Sequence, residues 1–270
     1  MIPTQRRDYL LELLDRRTVL TINELTELLG VSHMTVRRDI AQLEQEGRVL
    51  SVSGGVRLAA RFRHEPAWQE KASANIGHKE AIARRAAAMI HDGMSIYLDA
   101  GTTTFAMACL LTEHNALSVV TNNFHISALL AQYPHIDLFH TGGRVNHENY
   151  SAVGPSVVEF LRQVNVDIAF LSSSSWHLER GVTTPNESKI LIKQQLLQIA
   201  SKSVLVADSS KYGRFGMFRA CALEDVDLIV TDDGLAAFDR EAIIERDIAL
   251  ETVPITASEM ADEPKEVPWL

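Results

Sequence analysis

The chain has 270 residues, 46% of them apolar, with two cysteines and a formal net charge of −9. That length exceeds one typical domain and supplies real cores, while two distant cysteines, Cys109 and Cys221, imply no disulfide framework and fit a reducing cytoplasm. The polar, charged beginning argues against a secretory signal, and no apolar run is as long as a membrane span, so neither export nor a membrane partner is expected.

Charge is unevenly placed. Residues 1–63 hold 10 basic and 8 acidic side chains, a net +2, whereas residues 64–270 hold 16 and 27, a net −11. Because DNA phosphates are neutralised locally, this balance permits a small DNA-contacting head on an acidic body.

In chain order, Pro3 to Arg16 reads as a first helix whose Leu10, Leu11, Leu13 and Leu14 face a core. Thr21 and Glu24 have capping-box spacing and open a short second helix, which Gly30 ends as a left-handed cap. Ser32 is the N-cap of a third helix. Two short helices joined by a Gly-containing turn form a helix-turn-helix. Val36, Ile40 and Leu43 give the third helix a core face, so Met34, Thr35, Arg38, Ala41, Gln42 and Gln45 point away with Arg37 beside them. A hydroxyl, amides and guanidinium forks on such a helix suit the phosphates and base edges of a major groove. The alternative is a surface helix with two solvated arginines. The candidate DNA-reading set is Ser32, His33, Met34, Thr35, Arg37, Arg38 and Gln42. After Gly47, the alternation from Arg48 to Val56 around Gly54-Gly55 reads as the hairpin wing of a winged helix.

These elements assign residues 1–57 to a winged helix-turn-helix domain and 58–78 to a linker. From Lys79 to Val253, strands expected at 95–98, 117–121, 136–140, 166–171, 203–207, 226–230 and 248–253 alternate with helices. The fold class is α/β: the winged helix-turn-helix plus a larger, Rossmann-like, mostly parallel α/β domain. Residues 254–270, including Trp269, are expected to form a disordered tail.

Six of the strands run into polar ends: Asp99-Ala100-Gly101-Thr102-Thr103-Thr104, Thr121-Asn122-Asn123, Thr141-Gly142-Gly143, Ser172 to Ser175, Asp208-Ser209-Ser210-Lys211 and Thr231-Asp232-Asp233-Gly234. Ligands of open parallel sheets bind at such carboxyl ends. Gly101 to Thr104 is the candidate phosphate cradle, because glycine admits a close backbone and the next helix offers free N–H groups. It is neither a Walker loop nor a dinucleotide fingerprint, so a small phosphorylated molecule is expected rather than a nucleotide. Lys79, Lys193 and Lys211 could add charge, although a single lysine is ordinarily solvated. Asp99 either holds sugar hydroxyls or caps its turn. The ten histidines lack metal-ligand spacing, and Ser172 to Ser175 near His177 lacks a nucleophile elbow. No catalytic residue, metal or cofactor is therefore expected. Trp68 and Trp176 are read as packing residues.

Val31 to Ile40, Leu43-Glu44, Gly47 and Gly54-Gly55 resemble the DNA-binding head of DeoR-type bacterial transcriptional regulators. Asp99 to Thr104, Thr121-Asn122, Thr141 to Gly143 and Asp208 to Gly213 resemble that family's effector motifs, in its order. The resemblance implies a cytoplasmic homo-oligomer, dimer or tetramer, whose body is similar to ribose-5-phosphate isomerase. It further implies repression of a carbohydrate operon and release from double-stranded operator DNA by a phosphorylated sugar. Carried over, the DNA contacts fall on Ser32, Thr35, Arg37 and Arg38. The implied effector pocket falls on Asp99, Gly101, Thr102, Thr103, Thr104, Asn122, Gly142, Gly143 and Lys211, with Lys193 as an added cation. Ser51 and Ser53 depart from a basic wing, and Ser172 to Trp176 from a Gly-containing segment. Lys189 stands where an acid is common, which points to a sugar acid carrying an extra negative charge. The alternative from another class is a sugar-phosphate isomerase-like enzyme fused to a helix-turn-helix, with Asp99, Asp208 or Glu187 as base and Lys211 as stabiliser. No acid–base pair stands out for it.

Overall fold

The computed structural model describes residues 2–17, 19–46, 48–52, 55–58 and 65–256. The head consists of α1 (Pro3–Arg16), α2 (Ile22–Leu29), α3 (His33–Gln45) and the antiparallel pair β1 (Val49–Val52) and β2 (Gly55–Leu58). The capping box forms: the Thr21 hydroxyl accepts from the Glu24 N–H at 3.1 Å, and the Glu24 carboxylate accepts from the Thr21 N–H at 2.8 Å. Gly30 ends α2 at φ 63°, and the Ser32 hydroxyl accepts from the Thr35 N–H, as expected of both. Leu10, Leu14, Leu25, Val36, Ile40, Leu43 and Val56 form one buried core. The expected wing positions Gly47, Ser53 and Gly54 lie outside the described residues.

A buried ion pair joins α1 to α3. Arg6 donates to both Asp39 oxygens, at 2.5 and 3.0 Å, and the two side chains are 7% and 3% exposed. Such a bidentate fork fixes the angle at which α3 is presented.

The body starts with α4 (Trp68–Ser73) and α5 (Ile76–Ala87), followed by β3 (Ser95–Leu98), α6 (Thr102–Cys109), β4 (Ser118–Thr121), α7 (Phe124–Leu130) and β5 (Asp137–His140). A hairpin of β6 (Arg144–Asn146) and β7 (Ser151–Val153) leads to α8 (Pro155–Leu161) and β8 (Val166–Ser172). Then come β9 (Ser175–His177), β10 (Gly181–Thr184), α9 (Ile190–Ile199), β11 (Ala200–Val206), β12 (Phe218–Cys221), β13 (Leu228–Asp232), α10 (Ala237–Ile244) and β14 (Leu250–Val253). The seven expected strands assemble into one wholly parallel sheet of order β14-β13-β11-β8-β3-β4-β5. Period-two alternation splits its side chains. Ile96, Leu98, Val204 and Val206 pack with α5, α6 and α7, and Tyr97, Leu205 and Ile229 pack with α8 and α9.

Two features depart from the expectations. Residues 58–78, read as a linker, carry α4 and the start of α5, because Trp68 is buried in an edge-on contact with Phe105 and a stacked one with His125. Beside the main sheet lies an antiparallel sheet of order β12-β10-β9, centred on fully buried Trp176 and Val182.

Head and body touch directly. Leu50 of β1 belongs to the body's core rather than the head's, lying over Gly213 and beside Tyr212. A Cβ at Gly213 would fall 2.0 Å from a Leu50 methyl, so the bare backbone is what admits it. Arg180 donates to the Glu46 carbonyl at 3.3 Å across the same contact. Burial, then the charge of Glu44, raises the Asp239 carboxyl to about 7 at this seam. The unfolded chain releases this proton near pH 4 while the folded chain keeps it to about 7, so stability falls as pH rises between them. Asp239→Asn should flatten that slope and raise the melting temperature at pH 8. An unchanged slope in melting curves from pH 4.5 to 8 would remove Asp239 from the seam's titration.

Candidate functional site

On α3, Val36, Ile40 and Leu43 face inward and leave Ser32, His33, Met34, Arg37, Arg38, Ala41 and Gln42 exposed, with Thr35 half-buried. Arg37 and Arg38 have no ion-pair partner among the described residues, so both guanidinium groups are available to an external anion. Met34 is 75% exposed, an apolar group that water does not favour. The Ser32 hydroxyl is engaged with the Thr35 backbone and hydroxyl, and the Gln42 amide donates to Glu46 at 3.0 Å. The Gln45 side chain lies outside the described residues.

In the body, the carboxyl ends of β3, β4 and β8 meet the first turn of α9 around a cavity. Its lining includes Asp99, Asn122, Ser172, Ser173, Ser174, Lys189 and Lys193, joined by Glu65, Thr183 and Thr184. Asp99 is its hub. One carboxylate oxygen accepts from the Ala100 N–H at 2.8 Å; the other accepts from the Ser172 N–H, the Ser172 hydroxyl and the Lys193 ammonium at 3.1, 3.0 and 2.6 Å. Lys193 is no solvated lysine: it is buried with Asp99, each side chain 6% exposed, and it also donates to the Ser172 carbonyl. The Asn122 side-chain N–H donates to the Ala152 carbonyl at 3.0 Å, while its buried Oδ1 has no partner among the described residues. An unpaired acceptor on a cavity wall awaits a donor.

The expected cradle is only partly free. Gly101 sits against Ser172, where a Cβ would approach the Ser172 Cβ to 2.5 Å, so its lack of a side chain serves packing. The fully buried Thr104 hydroxyl is spent on the Asp99 and Gly101 carbonyls. Thr103 is buried, Thr102 is half-buried, and α6 begins without a side-chain cap. Gly101 to Thr104 lie outside the cavity lining, as do Gly142 and Gly143, exposed at the start of the β6–β7 hairpin, and half-buried Lys211. Buried Lys79 donates to the Lys71 and Ala74 carbonyls, clamping α4 to α5 rather than charging the pocket. Asp208 and Asp232 tie loops together: Asp208 accepts from Asn75, and Asp232 from Ser209 and His78.

Glu65, Thr183 and Thr184 escaped the sequence reading. Glu65 lies in an aperiodic stretch with no local signal, and the threonines lie on β10, which was not expected. Burial favours protonation of Glu65, but Lys189 and Lys71 outweigh it and hold the carboxyl below the usual carboxylate range. Lys189, expected to offer an extra cation, is therefore already paired. No metal-binding group of His, Cys, Asp or Glu occurs among the described residues. No helix among them is long and apolar enough to cross a membrane.

The DeoR-like helix-turn-helix domain family matches residues 6–62, and the DeoR C terminal sensor domain family matches residues 74–233. A Haemophilus influenzae protein described as an uncharacterized HTH-type transcriptional regulator is 44% identical over 250 residues, spanning 93% of this chain and 97% of the relative. A putative aga operon transcriptional repressor of Escherichia coli O157:H7 is 29% identical over 242 residues, 89% of this chain and 90% of the relative. A solved D-ribose-5-phosphate isomerase in complex with phospho-erythronic acid overlaps 50% of this chain and 52% of its own, at 18% identity and a TM-score of 0.37.

Proposed function

This chain belongs to the DeoR family of helix-turn-helix transcriptional regulators, and on that premise we propose that it is a cytoplasmic repressor of a carbohydrate-utilisation operon, released by a phosphorylated sugar or sugar acid. The observation that carries the effector reading is the unpaired Asn122 acceptor beside the buried Asp99–Lys193 pair at the sheet's carboxyl edge. Sugar hydroxyls would donate to Asn122 and exchange with Ser172 and Ser173. The phosphate would take backbone N–H groups at the start of α6, which has no side-chain cap and lies next to the Asp99–Ala100 edge of the cavity. Gly142, Gly143 and Lys211 would have to close over the ligand to touch it. The enzymatic alternative has nothing in its favour, since relatives aligned over nearly their whole length are named as regulators.

A dimer or tetramer would set two α3 helices on half-sites one helical turn apart, or a multiple of it. Release requires the ligand to bind the DNA-free arrangement more tightly than the DNA-bound one. The test is a gel-shift titration on DNA upstream of the gene and its neighbours. Arg38→Ala should weaken binding by about 1–3 kcal/mol, roughly 10- to 100-fold, because a guanidinium fork to a base or phosphate is lost. Ligand binding by the body should survive. Operator affinity equal to that of the wild type would refute the assigned face of α3.

A further inference from the structure

The cavity holds about 20 Å³ of free space, enough for one water and far too little for a sugar. Something in its wall must leave when a ligand enters. Glu65 is the candidate. Its carboxylate accepts from Lys71 at 2.8 Å, from the Ser174 hydroxyl at 2.9 Å and from Lys189. Glu65, Lys71 and Lys189 are 6%, 10% and 13% exposed, so these charges meet away from bulk water. Lys71 makes one more contact, to the Asn149 side-chain oxygen. Two ammonium groups thus face one carboxylate, leaving a net positive charge in a buried place, which is costly. Burial and the neighbouring Lys189 lower the Lys71 ammonium, with Glu65 acting against them. A phosphate near two negative charges at pH 7, or a carboxylate backed by other ligand charge, would balance the pair better than Glu65 does.

We infer that Glu65 stands in for an anionic group of the ligand, and that this group displaces the Glu65 carboxylate from between Lys71 and Lys189. The inference rests on the cavity being the effector site and names what the site recognises: a second anionic centre next to the Asp99–Lys193–Asn122 floor. Glu65 is also seven residues beyond Leu58, the end of the head's β2.

The test uses the full chain and inorganic phosphate as the probe, by calorimetry. Glu65→Gln removes the competing charge and should bind phosphate at least 10-fold more tightly than the wild type; adding Lys189→Met should abolish that gain. No gain in Glu65→Gln, or a gain that survives Lys189→Met, would overturn the inference. Should Glu65→Gln not fold, the wild-type Glu65 carboxyl carbon resonance should move on phosphate titration, and a fixed resonance up to saturating phosphate would likewise overturn it. Phosphate carries no sugar, so the outcomes separate. A chain released from DNA by sugar phosphates but showing neither change loses the displacement alone. One showing both changes yet never released from DNA keeps the displacement and loses the effector reading.

Discussion

Asp39→Ala should unfold the head while the body stays folded. The substitution leaves the Arg6 guanidinium buried without its counter-ion, and breaking a buried pair in this way costs about 3–5 kcal/mol. A domain of roughly sixty residues has only about 3–9 kcal/mol of stability to lose. Operator binding should vanish and ligand binding should remain. Amide hydrogen exchange is the direct readout: protection should collapse in α1, α2 and α3 and persist in β3, β8 and β11. Equal protection of the head in mutant and wild type would show that the pair does not hold α3. The double substitution Arg6→Met with Asp39→Leu should recover most of the lost stability, since an apolar pair of similar volume replaces a buried ion pair with little penalty.

Lys193→Met should have the second large effect, on both stability and response. Asp99 keeps three hydrogen bonds, from Ala100 and Ser172, but loses its only ammonium partner among the described residues. A carboxylate stranded in this way should cost about 3–5 kcal/mol and lower the body's melting temperature by roughly 10 °C. DNA release by phosphorylated sugars should disappear as well. Combining Asp99→Asn with Lys193→Met should restore most of the melting temperature without restoring release. A double mutant that again responds to ligand would show that the pair is only a structural tie.

Much of this fold was legible because its signals are local. The buried parallel strands appear as continuous apolar runs such as Ser95-Ile96-Tyr97-Leu98, and the head's turns announce themselves through Thr21, Gly30 and Ser32. What escaped depends on distant partners. Asp39 sits beside Ile40 and three residues after Val36, on the inward side of α3, and a charge there already implied a counter-ion; only the fold reveals that it is Arg6, 33 residues earlier. Lys193 adjoins Ile192 and precedes Leu196 in the same way, and its counter-ion is 94 residues away. Strands β9, β10 and β12 run to only three or four residues each; β9 and β10 are buried at every position, so no alternation of apolar and polar residues marks them. At the start of α6 the side chains serve packing. Gly101 lies at the mouth of α6 as expected, yet its bare backbone accommodates Ser172, and the Thr104 hydroxyl is turned inward.

Leu50 bears on how such a protein can be rebuilt. A wing strand that contributes a side chain to the body's core makes the head a poor module for transplantation. A head borrowed from a relative would need a side chain at position 50 matching the socket made by Gly213 and Tyr212, whatever operator it reads. Chimeras that keep Leu50 with its own body should be soluble and switchable, and those that exchange one without the other should lose the coupling before they lose either binding activity.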